Sequence, residues 1–310
     1  MKTIFGPVPS RRLGFSLGVD VIPYKTCSFD CIYCELGKTT CKTIGPVETV
    51  PAEAVLGELE EVLASSPLTI DYITLSGSGE PTLHPHLDLI IKGIKKIASA
   101  PVALITNSSL LFKDEILLKV LAADVIIPSL DAPDPMVFQT INRPDPALTF
   151  DQLIEGLINL GKCQGPRIWL EVLLLKGIND APGQIERFEE YIERINPEKI
   201  QLNTVVRPPV EGYAAPLSYS QLKEIQKVLG PRAEIISPPS RETAQPNGSV
   251  IAAEIRAMVA RRPCTAEDIA QCLGLSLEET SHFLSELIQA KKVTYELFNQ
   301  QGFYRGMSKS

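Results

Sequence analysis

Six times along this chain a short run rich in Val, Ile and Leu is followed by a segment whose apolar residues recur at helical spacing. No other feature limits the fold as much. The strand-like runs are residues 17–23, 69–75, 102–106, 124–131, 168–175 and 199–206. Between them lie helical patterns, the first behind Pro51 with Val55, Leu56, Leu59, Val62 and Leu63, the others near 87–97, 115–121, 153–160, 185–195 and 222–229. A strand that feeds a helix and returns to the same sheet does so by a right-handed crossover, which makes neighbouring strands parallel. The pattern predicts an α/β fold. Six units fall short of an eight-fold closure, so the expected form is a partial (β/α)6 TIM-like barrel, with its functional loops at the strand C-terminal ends.

The alternation stops near residue 236. Residues 237–249 are rich in Pro, Ser and polar side chains and read as a linker between a first domain, 1–236, and a second, 250–310. The second is helical at first, with Thr265 and Ser276 each placed three residues before an acidic side chain and Gly274 between them. A strand-like run at 293–298, a polar turn and an aromatic pair then predict a hairpin. Three helices and a hairpin predict a winged-helix domain. Its seven Lys and Arg are balanced by seven Asp and Glu, and Glu278, Glu279 and Glu286 fall on the presumed recognition helix. DNA is therefore not the expected partner. The whole chain carries a net charge of −7, which argues against generic polyanion binding over the whole surface while leaving room for a local basic pocket.

Cys27, Cys31 and Cys34 stand in a C-x3-C-x2-C arrangement directly after the first strand. Three thiolates this close converge only when the loop wraps a common centre, an iron–sulfur cluster with one open iron or a zinc ion with Cys41 as fourth ligand; the remaining alternative is three unmetallated thiols. The second strand ends in Gly77, Ser78, Gly79, Glu80 and Pro81, a tight turn on the same rim of the sheet. Cys163, Cys264 and Cys272 lie far away in sequence and are expected to be structural thiols.

With an aromatic residue before its last cysteine and the Gly-Glu-Pro turn on the next strand, the sequence resembles the radical S-adenosylmethionine (radical SAM) superfamily over about residues 10–236. The resemblance implies a [4Fe–4S] cluster on Cys27, Cys31 and Cys34, and S-adenosylmethionine on its open iron. Reductive cleavage would yield a 5′-deoxyadenosyl radical that abstracts hydrogen from a substrate. It implies that Tyr33 packs on the adenine and that Gly77, Gly79, Glu80 and Pro81 receive the methionine amino group. It further implies that Ser129 and Asp131, ending the fourth parallel strand, reach the ribose or carboxylate; Thr106, Asn107 and Asn203 end other strands. A low-potential electron donor such as flavodoxin or ferredoxin is implied as well. The N-terminal half, from Phe5 through the cysteine loop, is similar to the subgroup of wyosine-type tRNA modification enzymes. It departs from the archaeal members in that no cysteine precedes Cys27. The substrate is left open as a small molecule, a protein or tRNA.

Four further features need partners. Glu171 lies inside a strand, where a carboxylate facing a barrel interior must be paired. Arg11 and Arg12 precede the first strand, available to an anionic substrate or to surface carboxylates. His84 and His86 follow the Gly-Glu-Pro turn, where capping and substrate contact compete. The Pro-rich residues 207–218 are placed to roof a site. A metal-responsive DNA regulator is the competing class of function. No apolar run is long enough for a membrane span and the N-terminus has no signal-peptide core, so a cytoplasmic protein with reduced thiols is expected.

Overall fold

A computed structural model describes residues 2–65, 70–236 and 248–307. Strands β1 (Ile4–Ser10) and β2 (Gly14–Val19) form an antiparallel hairpin. Two-residue strands β3 (Thr26–Cys27) and β4 (Cys41–Lys42) bracket the cysteine loop ahead of α1 (Ala52–Ser65). Strand–helix alternation follows: β5 (Tyr72–Leu75), α2 (Leu87–Ile97), β6 (Val102–Thr106), α3 (Asp114–Val120) and β7 (Val125–Pro128). Then come α4 (Pro135–Ile141), α5 (Phe150–Lys162), β8 (Arg167–Leu174), α6 (Pro182–Ile195), β9 (Lys199–Thr204), α7 (Tyr219–Leu229) and β10 (Ala233–Ile235).

The sheet runs β1-β2-β5-β6-β7-β8-β9-β10, with every pair from β2 to β10 parallel. The α/β fold and the parallel sheet are thus as expected. The count differs, because β10 adds a seventh parallel strand and β1 an antiparallel eighth. Gly6, Pro7 and Pro9 hide β1 from a strand pattern, yet an edge strand tolerates them because its outer N–H groups need no ladder partner. The first parallel strand also begins three residues earlier than its apolar run. Helix α4 is short and was not expected, although Asp134 caps it through the Val137 amide and Pro135 opens it.

Between β2 and β8 lie three strands, so in a flat sheet they would stand about 19 Å apart. Arg12, at the entry to β2, nevertheless pairs with Glu171 of β8, and Leu13 shares one apolar cluster with Trp169. The sheet is therefore rolled into an open, partial barrel. Its outer face (Leu17, Val19, Leu75, Leu104, Ile126, Leu170 and Leu202) packs with helix residues such as Leu59, Ile90, Val120, Leu157 and Phe188. Inside, Leu13, Ala103, Val125, Ile127 and Trp169 form an apolar floor toward the strand N-terminal ends. Above it the lining turns polar, with Thr74 and Ser16 hydrogen-bonded to each other and Glu171 and Asn203 buried.

The C-terminal part comprises α8 (Gly248–Arg261), α9 (Ala266–Leu273), α10 (Leu277–Gln289) and the hairpin β11 (Val293–Phe298) with β12 (Gln301–Gly306). Thr265 and Ser276 each cap a helix in reciprocal boxes with Asp268 and Glu279, and Gly274 ends α9 at φ 64°. Ile251, Ile255, Val259, Ile269, Leu284 and Val293 give this part its own core. It is fastened to the sheet by Arg261 on Asp20 (3.2 Å) and by the Cys272 thiol on the Pro7 carbonyl (3.3 Å). Most of the expected linker, residues 237–247, lies outside the described residues. Among the described residues no helix is long and apolar enough to cross a membrane.

Candidate functional site

The cysteine loop is held from several sides by backbone hydrogen bonds. Asp30 and Ile32 donate to the carbonyls of Asn142 and Ile141 at the end of α4. Val210 and Glu211, in the Pro-rich segment after β9, donate to the carbonyls of Cys34 and Ile32. That segment therefore lies directly on the loop, where a roof was expected. Phe29 packs edge-on to Phe138 of α4 at 5.4 Å, which anchors the loop in the core.

Each of the three half-buried thiols receives a nitrogen donor from a different place. Lys25 Nζ lies 3.1 Å from Cys34 Sγ, Asn107 Nδ2 3.4 Å from Cys27 Sγ, and Asn142 Nδ2 3.5 Å from Cys31 Sγ. Burial, with Glu80 adding to it, pushes the Cys27 thiol up to about 12, and burial also drives Cys31 well above its ordinary value. Cys27 and Cys31 so placed become thiolates only against a strong positive centre, while the three donors suit sulfurs that carry negative charge. Among the described residues no three His, Cys, Asp or Glu side chains are gathered as a single metal ion requires. Three thiols, each with an N–H donor at its sulfur, are a donor set of the chemistry an iron–sulfur cluster takes. Cys41 is exposed and pairs in register with Thr26 rather than Cys27. Cys163, Cys264 and Cys272 donate to the carbonyls of Asn159, Arg262 and Pro7, as structural thiols do.

The Gly-rich turn abuts this loop. The Lys25 amide donates to the Ser78 carbonyl, and the Glu80 amide to the Thr26 carbonyl. A Cβ on Gly79 would stand 2.0 Å from the Thr26 carbonyl oxygen, and one on Gly77 2.2 Å from the Asp20 carboxyl carbon. Both glycines thus permit close approach to the protein's own loop. The buried Glu80 carboxylate accepts from Thr82 N and Oγ1, Thr106 Oγ1 and the Asn107 amide. It ties β5 to β6 and sets Asn107 beside Cys27; burial raises its pKa against the pull of those donors. Pro81 opens the single 3-10 turn that follows. His84 ends that turn, with Nε2 3.2 Å from the Val50 carbonyl and Nδ1 accepting from the His86 amide. The expected capping of the following helix is not seen: His86 stands at the N-cap of α2 without a side-chain hydrogen bond to it, and His84 closes the preceding turn through its backbone amide.

Tyr33 and Asp131 meet. The tyrosine hydroxyl donates to Asp131 Oδ2 at 2.5 Å, and Asn142 Nδ2 reaches the same oxygen at 3.2 Å. Burial, opposed by the Tyr33 hydrogen bond and reinforced by Glu171, brings the Asp131 carboxyl up to about 6. Ser129 is half-buried and bridges β7 to Glu171 of β8 through its backbone. Asn142 joins Cys31 to Asp131, and nothing in its helix-ending Asn-Arg-Pro context marks it as a site residue.

The partner Glu171 requires is Arg12, whose Nη2 lies 2.5 Å from Oε1, with Asn203 Nδ2 at 2.7 Å from the same oxygen. Arg11 Nη1 donates to Asn203 Oδ1 at 3.1 Å. The two arginines thus enter the barrel interior instead of pairing with surface carboxylates. Arg207, at the start of the roof segment, reaches Glu35 of the cysteine loop and Asp268 of α9.

The family model of the radical SAM superfamily matches residues 21–192. A protein named GTPase Obg from Brachyspira hyodysenteriae is 38% identical over 96% of this chain, which spans only 44% of that relative's length. A UPF0026 protein of Methanocaldococcus jannaschii is 36% identical over 76% of this chain and 73% of its own. One of Helicobacter pylori is 33% identical over 98% and 97%. Among solved structures, a radical SAM methyltransferase from Sphaerobacter thermophilus superposes with a TM-score of 0.53 at 15% identity, covering 71% of this chain and 65% of that one. At that identity the likeness is one of fold.

Proposed function

This chain belongs to the radical SAM superfamily, with UPF0026 proteins among its homologues, and from that membership we propose an enzyme that holds a [4Fe–4S] cluster on Cys27, Cys31 and Cys34 and S-adenosylmethionine beside it. When bound, cluster and cofactor together supply a one-electron route to a 5′-deoxyadenosyl radical, which takes a hydrogen atom from the substrate. The observation that carries the reading is the convergence of Lys25, Asn107 and Asn142 on the three sulfurs. Each donor belongs to a different segment, so the rim of the sheet is assembled around the loop.

In this reading the chain's own residues orient and enclose. Glu80 locks the Gly77–Pro81 turn against β6 and leaves that turn's backbone for the methionine amino group. Asp131 fixes Tyr33 for the adenine, and Ser129 faces the ribose side. The 207–218 segment covers the loop and keeps water off the reacting atoms. Flavodoxin or ferredoxin is the proposed electron source, in a reducing cytoplasm that keeps the seven cysteines out of disulfides. Adding S-adenosylmethionine to the reduced, reconstituted protein should shift its electron paramagnetic resonance spectrum. An unchanged spectrum at saturating cofactor would remove the cofactor from the reading.

The helices α8 to α10 with the β11–β12 hairpin are proposed as a winged-helix domain; α8 begins at Gly248, two residues before the boundary expected at 250, so the proposed linker shortens to 237–247. Its exposed Glu278, Glu279 and Glu286 and its attachment through Arg261 and Asp268 favour packing and substrate docking over DNA. A wyosine-type tRNA substrate is the second reading, favoured by the resemblance of the N-terminal half. Its test is a tRNA-dependent increase in 5′-deoxyadenosine formation.

A further inference from the structure

Three guanidinium groups crowd the polar interior of the barrel. Arg12 has one carboxylate, Glu171, and Arg207 has Glu35 and Asp268. Among the described residues Arg11 has none; its partner is the neutral Asn203 amide. Burial first, then the charges of Arg12 and Arg207, push the Arg11 pKa down to about 10, against the opposing pull of Glu171 and Glu35. Arg11 is thus a largely buried cation with no ion pair of its own; Glu171 and Glu35 act on it only at a distance, an arrangement folding alone rewards little. The buried Nε groups of Arg12 and Arg207 also have no hydrogen-bond partner. All three side chains keep some solvent contact, whereas Glu171 and Asn203 beneath them are buried.

The position is informative too. Ser129, bridged to Glu171, lies two residues before Asp131, which holds Tyr33 of the cysteine loop. Glu35, on Arg207, directly follows Cys34. The cations therefore sit between the apolar floor and the loop.

We propose that Arg11, with Arg12 and Arg207, receives an anionic group of the substrate, a carboxylate or a phosphate, and so aims the rest of that molecule at the cysteine loop. The geometry suits it. Each guanidinium offers five N–H donors; Arg11 uses one and Arg12 one, so forked contacts to two-oxygen or three-oxygen anions remain open. Asn203 and Glu171 hold the two forks in place. The substrate role rests on the radical SAM reading, whereas the anion site itself does not.

The test uses the full chain, iron-free and reconstituted, titrated at constant ionic strength with inorganic phosphate, acetate or chloride while thermal unfolding is followed. Saturable stabilisation by phosphate or by acetate beyond chloride is expected, and which of them acts identifies the group. Arg11→Gln should weaken that effect at least tenfold, with Arg11→Lys between. Without anion, Arg11→Gln should melt no lower than the parent, because it removes a largely buried charge that has no direct ion pair; a purely structural arginine would lower it. No saturable effect in the parent, or an equal one in Arg11→Gln, overturns the site. If Arg11→Gln also abolishes the cofactor-induced change in the resonance spectrum, the anion is the cofactor's own carboxylate and the substrate assignment fails. Failure to load iron leaves the iron-free titration readable and speaks against the functional reading instead.

Discussion

Lys25 is buried, adopts φ 57° and sets its ammonium 3.1 Å from the Cys34 sulfur. A fixed positive charge beside a cluster ligand favours the reduced, more negative state. Lys25→Met is therefore expected to lower the midpoint potential, read by a redox titration of the cluster signal; an unmoved midpoint would show that the charge is screened. Asp131 provides a pH signature. Its folded pKa of about 6 lies above the ordinary 3.8, so burial favours the protonated form. The resulting stabilisation is complete below the unfolded value and is lost as pH rises through the folded one. Between pH of about 4 and 6 the iron-free parent should lose stability relative to Asp131→Asn, measured by denaturant unfolding at each pH. A constant difference across that window would contradict the assignment.

At the scale of elements, the contact between turn and loop decides what a glycine substitution does. Gly79→Val would place atoms against the Thr26 carbonyl, so iron incorporation should fall together with cofactor binding. Loss of cofactor binding with full iron content would mean that the turn serves the cofactor alone. The capping boxes of α9 and α10 make a milder prediction: Thr265→Ala and Ser276→Ala should each cost about 1 kcal/mol, seen by equilibrium unfolding of the full chain. Much at this scale was legible in the sequence. Helix α2 and strand β6 match their apolar runs, and both boxes were visible as Thr or Ser three residues before Asp or Glu. What was not legible has local causes. Prolines masked β1, and α4 is too short for periodicity to reveal. The site was legible where chemistry is local, as in the three cysteines and the Gly-Glu-Pro turn. It was hidden where topology supplies the partner. Glu171 announced its need for a cation, but only a rolled sheet brings Arg12 to it. Asn142 becomes a site residue because the end of α4 lies beneath the cysteine loop.

On the scale of the molecule, the C-terminal part and the barrel share supports. Asp20 is buried, accepts from Ser78 in the Gly-rich turn and pairs with Arg261 at the end of α8, whose guanidinium also covers Phe5 at 4.3 Å. Arg261→Ala should cost on the order of 2 kcal/mol, as for a hydrogen bond to a charged partner, and should loosen the turn. Equilibrium unfolding of the full chain would report the first effect, and weaker cofactor binding the second. Arg207 joins the loop to α9 in the same way through Glu35 and Asp268. The measurement that bears most directly on the whole reading is iron, sulfide and 5′-deoxyadenosine analysis after anaerobic reconstitution and reduction with S-adenosylmethionine. About four iron and four sulfide per chain and slow 5′-deoxyadenosine release are predicted, both lost in Cys27→Ala, Cys31→Ala and Cys34→Ala but kept in Cys41→Ala. Stoichiometric zinc without iron, or a fully loaded cluster that releases no 5′-deoxyadenosine, would contradict it.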